Sequence, residues 1–63
     1  FTMNKFQFNS TNHLLIAKDV LENLGYKVKI DRQEYTLSVK GDLNRIEKEL
    51  NNYDLEYECR ENL

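Results

Sequence analysis

The sequence predicts an α+β sandwich with the element order βαββαβ, and three observations carry that prediction. Four short runs alternate apolar and polar residues with a period of two, and two longer runs repeat at helical spacing. The order strand, helix, strand then occurs twice, over residues 5–31 and again over 35–60.

Phe6 and Phe8 alternate with Lys5 and Gln7, the pattern of a half-buried first strand. Asn9-Ser10-Thr11-Asn12 follows, and side chains of these types accept from the unpaired N–H groups that open a helix. From His13 onward Leu14, Ala17, Val20, Leu21 and Leu24 recur at helical spacing, and Leu15 and Ile16 broaden the stripe as packing on a sheet requires. Gly25 stops this helix, because a residue with positive φ ends one at least cost. Tyr26, Val28 and Ile30 alternate with Lys27, Lys29 and Asp31 for the second strand. Asp31-Arg32-Gln33-Glu34 is a polar hairpin turn without the Asn-Gly or Asp-Gly signature.

Tyr35, Leu37 and Val39 alternate with Thr36, Ser38 and Lys40 for the third strand. Gly41-Asp42 breaks it, with Asp42 as an N-cap, and Leu43, Ile46, Leu50 and Tyr53 form the narrower stripe of a second helix. Leu55, Tyr57 and Cys59 then alternate with Glu56, Glu58 and Arg60 for the fourth strand.

In each half the two strands flanking a helix run parallel, and a helical crossover between parallel strands is right-handed. Interleaving the halves gives a ferredoxin-like fold: a four-stranded antiparallel sheet of order 4-1-3-2 with both helices on one face. The alternation directs the Phe, Tyr, Leu, Val and Ile series and Cys59 toward the helices, and the charged series toward the open face. Residues 3–63 are expected to be one such domain, with Phe1 and Thr2, ahead of Met3, carried over from a cloning vector.

Sixty-three residues support one small core, and a chain of this size buries only about 60% of the surface its unfolded form exposes. Such domains gain burial from a metal, disulfides or self-association. A single cysteine excludes an internal disulfide, and with a single histidine it excludes a zinc site of the usual Cys/His kind. Self-association is the remaining route. The formal net charge of −2 opposes broad attraction to nucleic acid or an anionic membrane. No stretch is long and apolar enough to span a bilayer, and no leader pattern is visible, so a reducing cytoplasmic setting is the expectation.

Few residues invite chemistry. Ser10, Thr11, Asn12 and His13 are the candidate anion or ligand loop, since backbone N–H groups at a strand-to-helix junction can face an anion. The position is similar to the phosphate loop of acylphosphatases, but this segment has neither Arg nor Gly. Heavy-metal-binding domains of the same topology carry Cys-x-x-Cys there, and this chain does not. RNA-recognition domains stack bases on aromatic residues of the open face, whereas here the aromatics fall on the core-facing series. His13 and Cys59 stand at opposite ends of adjacent strands, which opposes a thiol–imidazole pair.

The sheet edges remain. Strand 2 presents Lys27 and Lys29 and strand 4 presents Glu56, Glu58 and Arg60. A two-fold pairing of strand 4 about Glu58 would set Glu56 opposite the partner's Arg60. The expected function is therefore a non-enzymatic protein-interaction module, without a cofactor, that binds itself or a larger protein through its edges or open face. Two alternatives stand beside it: a small-ligand sensor that resembles ACT domains, and weak nucleic-acid binding through Lys5, Lys27, Lys29 and Lys40.

Overall fold

A computed structural model describes the backbone of residues 2–62 and the side chains of residues 3–60. Its elements are β1 (Thr2–Phe8), α1 (Thr11–Asn23), β2 (Val28–Asp31), β3 (Thr36–Gly41), α2 (Leu43–Asn51) and β4 (Tyr57–Asn62). The strands form one sheet in the order β2-β3-β1-β4, which is 4-1-3-2 read from the other edge. β1 pairs antiparallel with β3 and β4, and β2 antiparallel with β3. The fold is ferredoxin-like.

Local chemistry explains the ends of α1. Ser10 is extended, and its Oγ accepts from the backbone N–H of His13 at 3.2 Å. At the other end Gly25 has φ +96, its N–H donates to Glu22 O, and the N–H of Tyr26 reaches back to Leu21 O. That pair of bonds is a Schellman closure, which satisfies two of the carbonyls a helix terminus leaves open. Asp42 stands at the N-cap of α2 without a side-chain bond to the helix.

Between the layers lie Phe6 and Phe8 of β1, Leu14, Ala17 and Leu21 of α1, Leu37 and Val39 of β3, Ile46 and Leu50 of α2, and Leu55. Tyr26, Val28, Ile30, Leu43 and Tyr57 pack against this core and are half-buried. The Tyr57 ring stands edge-on to Phe6, with centroids 5.5 Å apart at 87°. Gly41 leaves room for Tyr26, since a Cβ at that position would lie 2.8 Å from Tyr26 Cε1.

Four expectations are corrected. Tyr35 is not a core residue of β3. It ends the hairpin loop with φ +55 and is exposed, because Asp31 Oδ1 accepts from the N–H groups of Gln33 and Glu34 and curls the chain into a turn that lasts until Thr36. Cys59 is exposed rather than buried. It stands across from Phe6 in register, but α1 packs on β1, β2 and β3, while the main neighbour of β4 is β1. The register also shifts between Lys5 and Phe6, and a bulge there turns the end of the edge strand. Glu56 lies ahead of β4, so the fourth strand starts one residue past it. Tyr53 falls beyond the end of α2 and is 55% exposed.

Two polar residues among those described are buried, Asn4 and Thr36, although Thr36 belongs to the polar series expected on the open face. Asn4 is fully buried on the core side of β1, and its Nδ2 donates to the carbonyls of Gly41 at 3.0 Å and Val39 at 3.3 Å. An amide can sit there because backbone carbonyls of the neighbouring strand receive its protons.

Candidate interaction surface

Of the four residues expected to form a ligand loop, Ser10 and His13 are engaged with the protein itself. Ser10 caps α1, Thr11 and Asn12 form its first exposed turn, and His13 Nδ1 accepts from the backbone N–H of Glu56 at 3.3 Å. Beside it Asn9 Nδ2 donates to Glu56 Oε2 at 3.1 Å. The segment works as a clamp between the start of α1 and the approach to β4.

The two edges are blunted. Lys27 and Lys29 are exposed, and β2 has only four residues. On β4 the Arg60 guanidinium meets Glu58 of its own strand at 3.3 Å, and the bulge disrupts the ladder. With Glu56 outside β4, the symmetric pairing about Glu58 loses the residue meant to face the partner's Arg60. Short strands, lysines and bulges are the usual means by which edges avoid pairing.

The open face of the sheet is polar and shallow. Lys5, Gln7, Glu34, Thr36, Cys59 and Arg60 surround one depression of about 510 Å³. Lys5, Lys29, Asp31, Thr36 and Ser38 share a second, so lysines and carboxylates are interspersed there. Burial, and after it the Glu47 carboxylate, push both the Cys59 thiol and the Tyr57 hydroxyl above their ordinary values. Among the described residues no three His, Cys, Asp or Glu side chains gather into a group that could hold a metal ion, and no helix is long and apolar enough to cross a membrane.

The other broad face carries an apolar seam. Leu14, Ala17 and Leu21 of α1 are buried, whereas Ile16, Val20 and Leu24, spaced four apart, form a second row along the same helix. Ile16 is 43% and Leu24 51% exposed, with Val20 half-buried between them. Tyr53 adds an exposed ring where α2 ends, and with Asp19, Asn23 and Glu49 these residues line a hollow of about 310 Å³. A second hollow of about 450 Å³ continues past Leu24 to Tyr26, Arg45 and Lys48. The signal for this seam is the broadening of the first helical stripe by Ile16. Its meaning needs the packed layers, which bury Leu21 but leave the next row open.

The chain matches no protein-family model, no curated protein and no solved structure.

Proposed function

We propose that this domain is a protein-interaction module without chemistry of its own, and that it binds through the seam between α1 and α2. The observation that carries this reading is the continuous row Ile16, Val20, Leu24 and Tyr53, apolar and open to solvent on one face. Contiguous apolar surface bordered by charged residues is the usual mark of a protein contact, because water leaving it supplies the driving force. Blunted edges and a polar open face favour the seam over the rest of the surface.

A photo-crosslinking residue placed at Leu24, and separately at Ser38 on the open face, tests the reading in cells that make the protein. A discrete protein adduct from position 24 and none from 38 is expected. Adducts from 38 alone would move the contact to the open face and end this reading.

A further inference from the structure

The partner for which the seam is built follows from its two ends, and this step rests on the proposed use of the seam. β1 and β2 are both antiparallel to β3, so α1 and α2, which return from β1 and β3, run antiparallel to each other. Arg45 and Lys48 therefore lie beside Leu24 at one end of the seam, and Tyr53 lies beside Ile16 at the other. Asp54, next to Tyr53, is exposed. Glu49 lines both hollows, so the Leu24 end, with Arg45 and Lys48, is net basic, and the opposite end, with Tyr53, Asp19 and Asp54, is aromatic and acidic.

We propose that the occupant is a second copy of this chain, related by a two-fold axis that crosses α1 at Val20. This arrangement closes on itself, as an isologous contact must. Leu24 meets the partner's Ile16, the two Val20 side chains meet on the axis, and Arg45 comes over the partner's Tyr53 and Asp54. A guanidinium over a phenol ring and beside a carboxylate gains from both. Asp19 and Asn23, one turn apart on the flank of α1, meet the same pair as carboxylate and amide. A standard interface takes about 800 Å² from each partner, under a fifth of the 4424 Å² that the molecule exposes. The helix layer is one of the two broad faces of a body measuring 26 × 22 × 17 Å.

Sedimentation velocity from about 1 µM to about 1 mM tests the proposal, with a mass that climbs from monomer to a limiting dimer as the expected result. Leu24→Glu should leave a monomer. Arg45→Asp and Asp54→Arg should each weaken the dimer at least about tenfold, and the two together should restore it to within about threefold. Because the two residues lie at opposite ends of α2, restoration requires a contact between copies. A monomer at every concentration, a dimer indifferent to Leu24→Glu, or a double variant no tighter than the singles overturns the second copy. A monomer whose Leu24 position still crosslinks to a different protein shows that the seam is used and that only the choice of partner failed.

Discussion

The backbone N–H of Glu56 donates to Nδ1 of His13, 3.3 Å away, across 43 residues of sequence. With the bond from Asn9 to the Glu56 carboxylate, it ties the first turn of α1 to the segment that leads into the edge strand β4. The imidazole can accept this bond only with Nδ1 unprotonated.

His13→Ala removes the acceptor and should lower the unfolding free energy by about 1 kcal/mol, the net worth of one ordinary hydrogen bond. The amide of Glu56 should exchange with solvent faster in the variant, while amides of β1 and β3 change little. His13→Asn, which restores an acceptor of similar reach, should recover part of the protection. Unchanged exchange at Glu56 in the alanine variant would show that the bond contributes nothing.

Asn4 makes a sharper prediction because it is fully buried and feeds two carbonyls near the end of β3. Asn4→Ala opens a small cavity and removes both donors, and should cost about 2–3 kcal/mol. Asn4→Asp should be worse at neutral pH, since a carboxylate would face carbonyl oxygens without water. Urea midpoints of the three proteins provide the comparison. An aspartate variant as stable as wild type would mean that water reaches this position.

Alkaline pH should destabilise the fold through Tyr57 and Cys59. Both are raised, first by burial and then by the Glu47 carboxylate, above ordinary values of 10.0 and 9.0. As pH rises, the unfolded chain releases these protons before the folded one does, so the folded state holds more protons in that window. Stability is then fully present below about pH 9 and declines as pH climbs through the raised folded values. Glu47→Gln should flatten the decline and quicken the reaction of Cys59 with iodoacetamide near neutrality. A stability profile that is level or rising between pH 8 and about pH 10.5 would contradict the assignment.

Most of the fold is legible in local chemistry. The alternation of Phe6 and Phe8 with Lys5 and Gln7 marks β1, and Ser10 and Gly25 bracket α1 through bonds that span three to five residues. Of the candidate surface only the raw material is legible, in the breadth of the apolar stripe on α1. Ile16 and Leu15 add to that stripe in the same way, and nothing in their spacing says which row the sheet will cover.

The element order, the four-stranded sheet and the apolar series from which the core is drawn are legible in the residues read in order, because periodicity, capping and chain reversal act between near neighbours. Which of those residues meet water is set only when the layers assemble. Cys59 follows the core alternation but belongs to an edge strand that α1 does not cover. Tyr35 follows it too, but it ends the Asp31 turn with a positive φ and its side chain is exposed. Asn4 is hidden because the β3 carbonyls satisfy its amide. Ile16 and Leu24 stay open on the row of α1 next to the buried Leu14, Ala17 and Leu21. The exposure of Cys59, Ile16 and Leu24 depends on how one layer packs over another, and that is a property of the assembled chain.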